Sequence, residues 1–268
     1  MSQNKVTIPR LKNFKKEKRP ISMVTAYDFT MAKLLEEAQV DMVLVGDSLG
    51  MVIQGKANTL EVTLEEMIYH SKAVSRALKN SHLMVDMPFL SYQVSIENAL
   101  QNAGRILKEG GAESVKIEGG LEISPTIKRL TCAGIPVMAH IGLRPQNIHQ
   151  MGGYLVQGRT EETQKILLEE AKAHEQAGAF GLLLEGIPSS IAKRISESVD
   201  IPTIGIFAGP HCDGQVLVIY DLLGMDKDFK PRFAKRYASL NEMIVSALNQ
   251  YVTDVREKNF PTKEHCLP

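Results

Sequence analysis

The chain lacks most of the features that would assign it quickly to a class. No apolar run approaches the roughly 18 residues that a membrane-spanning helix needs, although hydrophobic residues make up 44% of the composition. Net charge is absent too: Lys plus Arg and Asp plus Glu number 31 each, so no global field favours nucleic acid or an anionic membrane. Cysteine is scarce. Cys132, Cys212 and Cys266 show neither CxxC nor Cys/His ligand spacing, so reduced thiols and a cytoplasmic setting are expected. The first twenty residues have no apolar h-region, so no secretory signal is expected. They carry seven Lys or Arg against one Glu without interleaved aromatics, which reads as a solvated lead-in or a subunit-packing segment. A GxGxxG fingerprint is missing after the first strand-like run, which argues against a dinucleotide-binding sheet.

What is present is a regular alternation. Short apolar runs occur at 21–26, 42–46, 82–85, 114–117, 136–140, 181–184, 203–207 and 216–220, with helical segments between them. Thr63 followed by Glu66 forms a capping box, and Ser124-Pro125 reads as an N-cap before a proline at the first helical position. Gly110-Gly111, Gly134 and Gly178 mark helix ends just ahead of strands. Eight strands alternating with helices fit a (βα)₈ barrel or an open doubly wound sheet. The barrel is favoured, because eight units use up one chain of 268 residues. One domain is expected over 1–268, with a closing helix and tail from about 226 and a helix-like stretch near 239–256.

Four of the apolar runs end on an acid: Asp47, Asp86, Glu118 and Glu185. In a barrel the strand ends share one rim, where catalytic residues gather. Carboxylates crowded there repel one another and call for a cation or a proton. Singly, each is explained equally well by a helix cap or a pair with a nearby Lys; three on consecutive strands, about 5 Å apart, suit a hard cation such as Mg²⁺. Lys116 shares a strand side with Glu118 and needs an anionic partner, either these acids or a substrate carboxylate. Glu185 stands apart from the three, behind Leu182-Leu183-Leu184, and suits a general base. His140 reads as a satisfied barrel histidine or a ligand contact. The stretch Gly205–Gly209 with Asp213-Gly214 reads as a phosphate-holding loop or a tight turn, and 142–160 as a glycine-bearing lid or a plain surface loop.

The runs TAYD (25–28), VGDSLGMV (45–52), DMPF (86–89), VKIEGG (115–120), HIGLRPQ (140–146), HQMGGY (149–154), QGR (157–159), LLLEGIP (182–188) and CDGQVLV (212–218) appear in this order along nearly the whole chain. Together they resemble the ketopantoate hydroxymethyltransferase family, of the phosphoenolpyruvate mutase and isocitrate lyase superfamily of barrels. That resemblance implies transfer of a one-carbon unit from 5,10-methylenetetrahydrofolate to C3 of 3-methyl-2-oxobutanoate, giving ketopantoate through a metal-stabilised enolate. It implies Mg²⁺ at Asp47 and Asp86 with Glu118 completing the shell, Ser48 and Lys116 on the substrate, and Glu185 as base. It also implies a homo-oligomer, a decamer in the family, with small-molecule substrates and neither nucleic acid nor membrane as partner. A lyase of the same superfamily and a non-catalytic oxo-acid-binding barrel are the competing readings; no lyase cysteine motif is visible, and the acid set is intact. One departure stands out: the family pattern IGIGAG reads Ile204-Gly205-Ile206-Phe207-Ala208-Gly209 here, so Phe207 is strained if its position needs a positive φ.

Overall fold

The computed structural model describes residues 5–267. The chain forms two compact units, one running up to Val218 and the other beginning at Ile219. The first is a closed barrel of eight parallel strands in sequential order. They are β1 (Ile21–Thr25), β2 (Met42–Val45), β3 (His82–Asp86), β4 (Ser114–Glu118), β5 (Val137–Gly142), β6 (Gly181–Glu185), β7 (Thr203–Ile206) and β8 (Gly214–Leu217). Every residue of β2 to β5 is buried, which is why these strands read as unbroken apolar runs rather than alternating ones.

Parallel register partners face the same side of the sheet, and this sorts the barrel interior into layers. Met23, Met42, Leu44, Met84, Met138, Leu183, Ile204 and Val216 form one apolar cluster. Toward the strand ends the filling turns polar, where Asp86 pairs with Lys116 and Glu118 with His140 in register.

The eighth strand corrects the expected run at 216–220. It starts at Gly214, and Ile219–Leu223 is helical. Gly214 lies so close to β1 that a Cβ would run into Ile21 O, so this strand opens on a glycine and was masked in the sequence. Residues 207–213 connect β7 to β8 without a helix. Ser124 is also corrected: it lies inside the helix Ser124–Cys132, and its Oγ meets His174 Nδ1 at 3.1 Å instead of capping. The Thr63–Glu66 box forms as expected, and Gly111, Gly134 and Gly178 take φ of 75°, 84° and 99°.

The basic lead-in is not merely solvated. Residues Ile8–Lys16 form a helix whose Leu11 and Phe14 join the barrel's core cluster. Three of its charges are paired: Lys5 meets Glu113 at 2.7 Å, Lys15 meets Asp213 at 2.9 Å and Arg19 meets Asp41 at 2.7 Å. In the second unit the helix Leu240–Arg256 matches the expected stretch near 239–256. Among the described residues no helix is long and apolar enough to cross a membrane, and all three cysteines are free thiols.

Candidate active site

Asp86 and Glu118 are the last residues of β3 and β4, Glu185 ends β6, and Asp47 follows β2 after Gly46. Gly46 keeps this corner open, since a Cβ there would lie 2.7 Å from Ser48 Oγ. Asp47, Asp86, Lys116, Glu118 and His140 are all 5% exposed or less. Lys116 Nζ lies 3.2 Å from Asp86 Oδ1, 3.5 Å from Glu118 Oε1 and 3.1 Å from His140 Nδ1. The buried ammonium thus has the anionic partners its position required. His140 bridges two acids: Nδ1 faces Glu118 Oε1 at 3.3 Å, and Nε2 faces Glu185 Oε2 at 3.3 Å. Glu185 keeps 20% of its side chain exposed, so it is the acid most open to an entering molecule.

Burial pushes the Asp47 carboxyl upward, and Asp86 and Glu118 push it further. Asp86 is also raised by burial, with Glu118 adding to the rise against the pull of Lys116. For Glu118 the balance reverses: burial would raise it, but Lys116 and His140 hold it low. Burial would strip the Lys116 proton, yet Asp86, Glu118, Asp47 and Glu185 keep it firmly charged. Burial and Lys116 oppose a charge on His140, and Glu118 with Glu185 outweighs them. The corner around Asp47 and Asp86 is short of positive charge.

Two residues that the sequence did not single out complete the wall. Gln146 donates from Nε2 to Asp47 Oδ2 and to Met87 O, both at 2.9 Å, and its backbone N–H donates to Glu118 Oε2 at 3.1 Å. Tyr92 Oη lies 2.8 Å from Gln146 Oε1 and 2.9 Å from Glu118 O, and receives the Glu118 N–H at 3.0 Å. Gln146 ends the HIGLRPQ run, which was a signal; Tyr92 had none. Ser48 Oγ pairs with Tyr27 Oη at 2.8 Å.

The expected lid divides. Gln146 is 3% exposed, and Pro145–Asn147 and Ile148–Met151 are short helices, so the start of 142–160 is a fixed wall. The part from Gly152 is more open, with Tyr154 half-exposed and both Gly152 and Gly153 at positive φ. The Asp213 carboxylate takes the Thr203 N–H and Lys15 rather than lining a phosphate loop. Phe207 has φ of 52° and is 49% exposed, so the strained conformation that the departure from IGIGAG raised is present.

A family profile described as ketopantoate hydroxymethyltransferase matches residues 5–263. A 3-methyl-2-oxobutanoate hydroxymethyltransferase from Pelobacter propionicus is 56% identical over 265 residues, covering 99% of this chain and 98% of the relative. One from Syntrophomonas wolfei is 52% identical, covering 98% and 95%. Among solved structures, 2,3-dimethylmalate lyase, described as a PEP mutase/isocitrate lyase superfamily member, superposes with TM-score 0.61 at 16% identity over 97% of this chain and 91% of its own. A phosphonopyruvate hydrolase complexed with oxalate and Mg²⁺ gives TM-score 0.62 at 13% identity, covering 96% and 92%. The last two speak to the barrel, and the first three to the reaction. With its rim acids set as described, the chain belongs to the ketopantoate hydroxymethyltransferase family and is a ketopantoate-forming, hydroxymethyl-transferring enzyme.

Proposed function

We propose that the one-carbon donor is 5,10-methylenetetrahydrofolate, that 3-methyl-2-oxobutanoate is held at the rim with Mg²⁺, and that Glu185 is the base. The observation that carries this reading is the division of the four acids. Asp47 and Asp86 lie together in a buried corner, where both carboxyls are pushed upward and Lys116, 3.2 Å from Asp86 Oδ1, is the ammonium they share with Glu118. Such a donor set suits a hard cation, which is commonly held by one or two carboxylates with water and substrate oxygens filling the rest. Among the described residues no three His, Cys, Asp or Glu side chains are grouped as a metal cage. Glu118 is already engaged by Lys116, His140 and the Gln146 N–H, which suits it as a support behind the two aspartates. When bound, Mg²⁺ supplies Lewis acidity to the keto oxygen and so acidifies the neighbouring C3–H.

The chain's own residues do the rest. Ser48 and Lys116 orient the oxo-acid head by hydrogen bond and charge. Glu185, the most exposed of the four acids, takes the C3 proton. His140 Nε2, 3.3 Å from Glu185 Oε2, holds the carboxylate in place before it takes the proton. Low exposure around Lys116 and His140 excludes water from the carbanionic stage.

A cytoplasmic setting is part of the same reading, and three free thiols are compatible with it. So is an assembly of identical chains, a decamer by family resemblance. The row Met243, Ile244, Val245, Leu248, Tyr251, Val252 and Val255, all exposed on one helix, supports such burial by a copy. Exchange of the C3 hydrogen of 3-methyl-2-oxobutanoate into D₂O, followed without folate and with or without Mg²⁺, tests the core of the reading. Wild-type exchange that depends on Mg²⁺ and is lost in Glu185→Gln is expected; exchange at the wild-type rate in that variant removes Glu185 as base.

A further inference from the structure

Behind the site lies a second polar cluster that the reaction does not itself use. Glu170 is 3% exposed, on the inner face of the helix Glu161–Gln176 beside Leu167, Ala171 and His174. Its Oε1 meets Arg144 Nη2 at 2.9 Å, and Arg144 also reaches Glu122 at 3.4 Å. Gly120 leaves room for Glu170 as it stands, since a Cβ there would meet Glu170 Oε1 and force that carboxylate to shift. His174, one turn on, meets Gly119 O at 3.2 Å and Ser124 Oγ at 3.1 Å. One helix therefore grips both the loop that follows Glu118 and the turn that carries Arg144.

That turn is tight. Asn147 N–H donates to Arg144 O at 2.9 Å, so Arg144 and Gln146 belong to one small unit. The Gln146 amide is fully used. Nε2 faces two acceptors, Asp47 Oδ2 and Met87 O, while Oε1 faces Tyr92 Oη and Gln93 Nε2 at 2.8 and 3.2 Å. A flipped amide would set oxygen against Asp47 Oδ2 and Met87 O and nitrogen against Gln93 Nε2, so its orientation is fixed. Asp47 is thereby held by one oxygen, and Glu118 by the Gln146 N–H.

The cluster is costly as mere packing. Glu170 Oε2 and Arg144 Nε are buried with no hydrogen bond, and burial raises the Glu170 carboxyl to about 7 despite Arg144. Apolar residues of similar volume commonly match or exceed a buried ion pair in stability, so stability alone does not account for it. We infer that Arg144 and Glu170 are a positioning pair that holds the 144–147 turn so that Gln146 fixes Asp47 and Glu118 in working orientation. This rests on the reading of Asp47 and Glu118 as working residues.

The test uses full-length Arg144→Met, Glu170→Gln, Gln146→Met and the double variant Arg144→Met/Gln146→Met. Each is followed by C3–H exchange, by turnover with its kcat and KM separated, by melting temperature, and by amide hydrogen exchange of the metal-free protein over 143–148. Gln146→Met is expected to lower kcat about 10–100-fold, the scale for groups that orient metal-binding side chains. Arg144→Met and Glu170→Gln should lower it several-fold in the same direction and speed amide exchange over 143–148. The double variant should be no slower than Gln146→Met, because both changes act through one group. Multiplying effects, or Arg144→Met and Glu170→Gln losing melting temperature alone with kcat intact, would overturn the inference. Should Arg144→Met fold poorly, Glu170→Gln keeps the volume and decides alone. Absence of C3–H exchange in the wild type would count against the reaction reading; the pair is then judged on amide exchange, and unchanged protection over 143–148 overturns it.

Discussion

The two ends of the barrel use the same residue type for opposite ends. At the base, Asp41, Glu113 and Asp213 each stand one residue before a strand, ahead of β2, β4 and β8. Each braces the opening of a neighbouring strand: Asp41 takes the Ser22 N–H, Glu113 the Leu83 N–H and Asp213 the Thr203 N–H. Each also has its own cation from the lead-in: Arg19, Lys5 and Lys15. At the rim, Asp47, Asp86, Glu118 and Glu185 share Lys116 and one histidine. Acids matched one to one hold a fold together; acids left short of counter-charge hold a place for something that arrives later.

Glu185→Gln should produce the largest effect, a fall in turnover of roughly 10²–10⁴-fold with oxo-acid binding retained, read from kcat and equilibrium binding. Loss of binding at unchanged kcat would make the rim acid a holder rather than a base. Lys116→Met removes the rim's ammonium, leaving buried acids uncompensated, and should cost about 3–5 kcal/mol of stability at neutral pH. Urea unfolding measures it, and a loss no larger than at the base would erase the contrast between the ends.

The sign of the pH effect follows from Asp47 and Asp86, whose carboxyls are both raised in the fold. Above about pH 4, where an unfolded Asp has lost its proton, the folded chain still holds one. Stability of the metal-free enzyme should therefore fall as pH rises from that point through the folded pKa values. Glu118, held low, acts oppositely, giving stability that is lost only in acid. Saturating Mg²⁺ should flatten the fall and release protons as it binds, because a carboxylate must be bare to ligate. Calorimetry in two buffers of different ionisation enthalpy would show it, and binding without proton release would refute it.

At the base, Lys15→Met keeps the stem but removes the charge from Asp213, which retains its Thr203 donors. A loss of about 1–3 kcal/mol with kcat unchanged is expected from denaturation and steady-state assays. The smallest effect is Phe207→Gly. Relief of the left-handed backbone at φ 52° is worth on the order of 1 kcal/mol, less the entropy glycine adds to the unfolded chain. The melting temperature should hold or rise slightly, and a marked drop would mean that Phe207 packs more than it strains.

The barrel was legible because strands buried on both faces leave unbroken apolar runs, and the rim because an acid ending such a run is conspicuous. Strand β8 was not, since Gly214-Gln215 supplies no apolar signal and the true apolar run continues into a helix. The lead-in misled because its partners lie 22, 108 and 198 residues away, for Arg19, Lys5 and Lys15 respectively. Charge that will be neutralised at such a distance looks in sequence like charge meant for water. Gln146 and Tyr92 are uncharged and sit in connections, and their roles exist only once the turn folds back onto the strand ends.

The pairing of Ile21 with Gly214 and of Lys15 with Asp213 also sets a schedule. During synthesis the first strand emerges long before the last, and its outer edge must wait, unpaired, for nearly two hundred residues. The lead-in helix waits with it, because its salt bridge to Asp213 cannot form until that residue has left the ribosome. Any nascent chain halted short of Gly214 therefore carries two open strand edges, each a template for the wrong pairing.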